Sequence, residues 1–140
     1  MKLVADRLTV RLGGRTILRE VGADFPESGV TLVIGGNGCG KSTLLKTLAG
    51  ILSPVGGTVT LDGTPLDRLS RKETARRCAI LLQEPYAPPE LTVRALTALG
   101  RFPYGGGGAD AVARAMTLAG VTELADRKMG TLSGGEKHKA

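Results

Sequence analysis

Apolar and polar positions first alternate in "LTVRLGGRTIL", where Leu8, Val10 and Leu12 share one face, Gly13-Gly14 turns the chain, and Ile17 and Leu18 resume. A period of two on either side of a two-glycine turn predicts a β-hairpin. "TLVIG" at 31–35 is instead a short continuous apolar run, the pattern of a strand buried on both faces of a parallel sheet. "TLLKTLA" at 43–49 has helical composition, and Gly50 stands where helices commonly stop. "GTVTLDG" alternates again through Val59 and Leu61 and ends at Asp62-Gly63, a strand followed by a turn. Ser70 is placed to cap a helix over 71–77, and "CAILLQ" at 78–83 reads as a second buried strand.

Past Gln83 the pattern changes. "PYAPPE" is irregular, Thr92 caps "VRALTALG", "GGGG" at 105–108 reads as a flexible joint, and "ADAVARAMTLAG" has helical spacing. The expected division is a mixed strand-and-helix core over 1–84 and a helical part over 85–140, with no internal repeat.

Composition narrows the picture. The chain has 140 residues, one domain's worth, and 41% are apolar. With no Trp, two Phe and two Tyr, the core must be aliphatic. No apolar run approaches the ~20 residues of a membrane-spanning helix, and Asp6 and Arg7 interrupt any signal-peptide core. Cys39 and Cys78 form no disulfide framework or metal spacing, as expected of a cytosolic chain with free thiols. The net charge of +6 raises the question of an anionic partner. However, the basic residues do not form one helical stripe with interleaved aromatics, so no nucleic acid is assigned. Their densest cluster, "RLSRKETARR" at 68–77, reads as a solvated helix face.

Residues 35–43 read "GGNGCGKST" and satisfy the P-loop template G-x-x-x-x-G-K-[ST] from Gly35. The context fits, with "TLVI" before and "TLLKTLAG" after. Glycines let successive N–H groups converge on phosphate oxygens, and the helix start adds donors and partial positive charge. Lys41 can reach the β- and γ-phosphates, and the Ser42 hydroxyl can ligate Mg²⁺. The glycine spacing does not suit a Rossmann fingerprint, which would also leave Lys-Ser unexplained. A nucleoside phosphate is the expected ligand. Cys39 within the loop reads either as a redox or alkylation switch or as a small residue pointing away from phosphate.

"TLSGGE" at 131–136 is a second Ser-Gly-Gly turn leading into a helix, "EKHKA". Two such anion-binding starts suit a symmetric dimer in which each copy closes over the other's nucleotide. Together these residues resemble the ATP-binding subunits of ABC transporters. "GGNGCGKST" is similar to their Walker A, which usually has Pro where Gly36 stands, and "LSGGE" to their signature. "LLQE" at 81–84 is similar to their Q-loop, and "TILREV" and "LAGILSPVGGTVTLDG" extend the likeness along nearly the whole chain. The resemblance implies that Gly35, Gly36, Asn37, Gly38, Cys39, Gly40, Lys41, Ser42 and Thr43 wrap the phosphates of ATP. It implies that Ser42 and Gln83 handle Mg²⁺, Gln83 also positioning water. Ser133, Gly134 and Gly135 would meet the γ-phosphate held by a second copy. "LTVRALTALGRFPY" at 91–104 further resembles importers of iron–siderophore, haem or cobalamin, although a plain amphipathic helix ending at Gly100 also accounts for it.

The implied fold is an α/β P-loop NTPase core of the ABC ATPase type, with an N-terminal antiparallel β-hairpin and a helical subdomain. It is expected to be incomplete, because no stretch matches the Walker B strand with its catalytic base, the D-loop or the switch His. Without that strand the parallel sheet should expose an edge. Glu136 and His138 match neither missing position and read as solvated surface residues. Leu12 stands where an adenine-stacking aromatic is usual, and Val30 where a carboxylate is common. The expected partners are ATP, a second copy as homodimer, and membrane permease subunits. The expected place is cytoplasmic, peripheral on the inner face of the membrane. The parent protein is expected to be a transport ATPase, with this chain alone binding Mg·ATP weakly and not turning it over. A naturally short, non-hydrolytic regulatory module and a soluble ABC-type ATPase remain open readings.

Overall fold

The alternation through Leu8 and Val10 belongs to a longer strand, β1 (Leu3–Leu12), paired antiparallel with β2 (Arg15–Phe25). The computed structural model describes residues 2–83 and 87–140. Ala5, Leu8 and Val10 are all buried although Ala5 is out of step with the other two. The pairing shifts between Ala5 and Leu8, where Arg7 takes φ 45°, so the extra residue turns both halves of β1 to one core. Alongside runs β3 (Gly56–Leu61), whose Gly57 has φ 78°. A side-chain carbon on Gly57 would lie 2.3 Å from the Arg7 carbonyl oxygen and 2.4 Å from that of Asp6. Only glycine fits against the bulge.

With β4 (Thr64–Pro65) these strands form one antiparallel sheet in the order β2-β1-β3-β4. The Asp62-Gly63 turn expected from sequence joins its last two strands, both residues having positive φ. Helix α1 (Lys41–Leu48) packs Leu48 onto the sheet with Ala5, Leu8 and Val59, flanked by Leu44, Val21 and Phe25. Each large aliphatic side chain buried there contributes about 1.5–3 kcal/mol. Helix α2 (Arg71–Arg77) begins at Ser70 in a full capping box with Glu73 and buries no residue, so its basic side chains face solvent.

Two expected strands are not formed. Residues 30–36 and 78–82 carry no strand, and Val30, Leu32, Ile34 and Leu81 are 97%, 79%, 81% and 87% exposed. A parallel strand takes its hydrogen bonds from neighbours remote in sequence, and among the described residues none pairs with these runs. The apolar pattern was legible; the parallel ladder it implied is absent here.

The chain divides into two compact units, Met1–Ile80 and Leu81–Ala140. Gln83 therefore belongs to the second, whereas the sequence reading put it in the first. The expected boundary after residue 84 and the start of the irregular "PYAPPE" stretch lie outside the described residues. In the second unit, α3 (Val93–Leu99) is capped by Thr92, whose side chain accepts from the Ala95 N–H. Helix α4 (Ala109–Ala119) ends at left-handed Gly120. Val93, Val112, Met116, Val121, Met129 and Leu132 form its core. The Gly105–Gly108 joint takes left-handed angles at all four positions. Helix α5 (Gly134–Lys139) closes the unit.

Two substitutions test the bulge by urea unfolding. Gly57→Ala should destabilise by about 3 kcal/mol, because the new methyl meets backbone. Arg7→Gly should stabilise by about 1 kcal/mol by relieving a left-handed non-glycine residue, since the exposed Arg7–Asp6 pair at 3.6 Å contributes little.

Candidate nucleotide-binding site

The loop ahead of α1 is set by its last residue. Gly40 has φ 98°, and a side-chain carbon there would lie 2.9 Å from Leu18 Cδ2 and 3.3 Å from Ile17 Cγ2. This close approach lays the start of α1 against β2. As the N-cap, Gly40 offers no side-chain acceptor to the first turn, unlike Ser70, Thr92 and Ser133 at α2, α3 and α5. The leading N–H groups of a helix have no intrahelical partner, so here they remain available to an anion. The first α1 bond runs from the Leu44 N–H to the Gly40 carbonyl at 2.8 Å.

Lys41 folds back over this loop. Its Nζ donates to the carbonyls of Gly35 and Gly36 at 2.9 and 2.8 Å. The ammonium is thus held at the loop while the helix start faces the same region, an arrangement able to neutralise and hydrogen-bond a phosphate chain. Asn37, Gly38 and Ser42 are exposed, and Thr43 is half-buried with its carbonyl accepting from Thr47 Oγ1. Cys39 is exposed, and its Sγ lies 3.9 Å from Lys41 Nζ. Leu12, where an adenine-stacking ring was sought, is 42% exposed at the hairpin end.

The other expected residues lie in the second unit. Ser133 caps α5 in a capping box, its Oγ accepting from the Glu136 N–H at 3.3 Å and its N–H donating to Glu136 Oε2 at 2.8 Å. Glu136 thus stays at the surface, its side chain 32% exposed, but is tied into the cap rather than free. Arg127, which the sequence did not single out, donates from Nη1 to Glu136 Oε1 at 3.1 Å. No motif spacing announces this pairing. Hydrogen bonds from Ser133, its backbone first and then its side chain, hold the Glu136 carboxyl below its ordinary 4.5, with Arg127 adding to the effect. Gln83 is exposed and lines a cavity of about 510 Å³ with Leu96, Met129, Gly134, Lys137 and His138. Glu84, the last residue of the Q-loop match, lies outside the described residues.

Comparison with known proteins decides what carries this site. The family described as ABC transporter matches residues 18–140. The chain belongs to the ABC transporter family. The match is to the ATP-binding domain of these transporters. The ferric enterobactin transport ATP-binding protein FepC of Escherichia coli K12 is 38% identical over 99% of this chain and 54% of its own length. The hemin import ATP-binding protein HmuV of Bordetella pertussis is 39% identical over 99% of this chain and 55% of its own. A solved structure, a putative ABC transporter ATP-binding protein from Pyrococcus furiosus, superposes with a TM-score of 0.79 at 25% identity. It covers 99% of this chain and 66% of that one. This ABC domain thus spans about half the length of the curated relatives it matches. No helix among the described residues is long and apolar enough to cross a membrane.

Two measurements follow. With iodoacetamide, exposed Cys39 should react several-fold faster than Cys78, whose thiol burial pushes to a higher pKa; mass-mapped equal rates would contradict this. The Glu136 carboxylate should titrate below 4.5 by NMR. Its depressed native pKa means that its stabilisation is full above the ordinary value and is lost as pH falls through the native one.

Proposed function

We propose that this chain binds ATP as part of the ATPase of an ABC importer. Gly35–Thr43 cradle the phosphates, and Ser133, Gly134 and Gly135 meet the γ-phosphate on a second copy. The carrying observation is Lys41, whose ammonium is held over the loop carbonyls at a helix start without a side-chain cap. Charge and donors are preorganised there, so a triphosphate gains charge-assisted hydrogen bonds with little rearrangement.

Mg²⁺ fits through oxygen chemistry. No group of three His, Cys, Asp or Glu side chains is gathered for a metal among the described residues. The ion proposed keeps several waters and is held mainly by phosphate with the exposed Ser42 hydroxyl. The ion would neutralise phosphate charge; the protein's own part is to hold the phosphates and direct Lys41. Leu12 offers the adenine apolar contact without ring stacking.

The importer reading is supported by relatives named for ferric enterobactin and hemin. On it, the site faces the cytoplasm beside permease subunits, with cargo of the iron–siderophore, haem or cobalamin kind. No residue of this chain is assigned the water-activating base, so binding without turnover is the function proposed for these 140 residues.

Titration with a fluorescent ATP analogue in Mg²⁺ should saturate. Lys41→Ala should weaken binding about tenfold or more with its circular dichroism unchanged. Equal affinity in the two proteins would overturn the site. Phosphate release abolished by Lys41→Ala would instead show that the chain holds a base of its own.

A further inference from the structure

Arg127 joins two parts of the second unit. Its backbone carbonyl accepts from the Val93 N–H at 3.1 Å, at the start of α3 and in the core. Next to it, the Met129 N–H donates to the Leu91 carbonyl at 2.8 Å and that of Gly130 to the Pro89 carbonyl at 2.9 Å. The residue therefore stands on a hydrogen-bonded platform. From there its guanidinium divides: Nη1 reaches Glu136 Oε1 at 3.1 Å, and Nη2 donates to the Thr131 carbonyl at 2.8 Å. The two contacts bracket the Ser133 turn, one on each side.

The chain of contacts continues inward. The Glu136 carboxylate fixed by Arg127 accepts the Ser133 N–H through its other oxygen, and the Ser133 hydroxyl accepts the Glu136 N–H. With these groups engaged, the N–H groups of Gly134 and Gly135 precede the first α5 bond, from the Lys137 N–H to the Ser133 carbonyl at 2.9 Å. An ordinary surface ion pair between side chains 46% and 32% exposed would matter little. This one differs in geometry, because a planar fork grips a carboxylate and a carbonyl at once, which an ammonium holds less well.

We propose that Arg127 is the positioning residue of the Ser133–Gly135 turn, holding it through Glu136 and Thr131 in the geometry that receives a phosphate. The phosphate clause rests on the function proposed above; the hold on the turn does not.

The test compares the wild-type chain with Arg127→Ala and Arg127→Lys. Without nucleotide, amide hydrogen exchange by NMR should speed up about fivefold or more at Ser133 and Glu136, whose N–H groups are bonded within the turn, in Arg127→Ala. Exchange at Val112 and Met116 in the core should stay as in wild type, and Arg127→Lys should fall between. With Mg·ATP, sedimentation should show self-association of the wild-type chain that weakens about fivefold in Arg127→Ala. Turn exchange unmoved by Arg127→Ala would overturn the proposal. So would exchange accelerated equally through the core, which marks a general stability role. A wild-type chain that never associates with Mg·ATP, while its turn still loosens in Arg127→Ala, would sink the function proposed for the turn and support Arg127's hold on it.

Discussion

The close approach of Gly40 to β2 is the contact on which the candidate site depends. With no room for a side-chain carbon between it and Leu18, the chain entering α1 is pressed onto the hairpin. The helix then lies with Leu48 in the sheet core and its first turn facing out. That placement leaves the Lys41 ammonium within reach of the Gly35 and Gly36 carbonyls. A larger residue at this point would have to displace both the hairpin surface and the start of the helix. The phosphate loop is therefore a consequence of sheet packing as much as of its own glycines.

The two helix starts assigned to phosphate are built in opposite ways. At α1 the cap is a glycine without a side chain, so the leading donors are left to a ligand. At α5 the cap is a serine already engaged with Glu136, and the turn is held from outside by Arg127. The first is open and charged. The second is stiff, and its own acidic residue lies turned back into the cap. A turn held in this way is preorganised, which lowers the cost of ordering it on binding.

Much of the local structure was legible from the sequence because its causes are local. The Gly13-Gly14 turn, the Ser70 and Thr92 caps, the Gly50 stop and the Asp62-Gly63 turn all depend on residues within a few positions of one another. The Lys41 loop was legible for the same reason: glycine spacing, lysine and hydroxyl sit in one short stretch. The bulge at Arg7 was not. It joins Asp6 and Arg7 to Gly57, far along the chain, and nothing near Arg7 announces a left-handed residue. Nor was Arg127 visible, since its value lies in contacts with Glu136 and Thr131 that only the folded turn creates.

The runs at 30–34 and 78–82 mark the limit of that reading. Their apolar composition demands burial, yet Val30, Leu32, Ile34 and Leu81 are exposed. Composition can state that a segment suits a strand; it does not supply the neighbours whose N–H and C=O groups complete a ladder. The hairpin, the helix caps and the glycine-lysine-hydroxyl pattern over Gly35–Thr43 could be read directly from sequence, because each arises from short-range sterics and hydrogen bonding. Tertiary structure alone decided which apolar runs found a sheet partner, why Gly40 and Gly57 must be glycine, and which arginine grips the Ser133 turn. The sheet partners and the glycine contacts join segments remote in sequence. Arg127, although only four and nine residues from Thr131 and Glu136, meets them through a fold of the turn that no repeating pattern encodes.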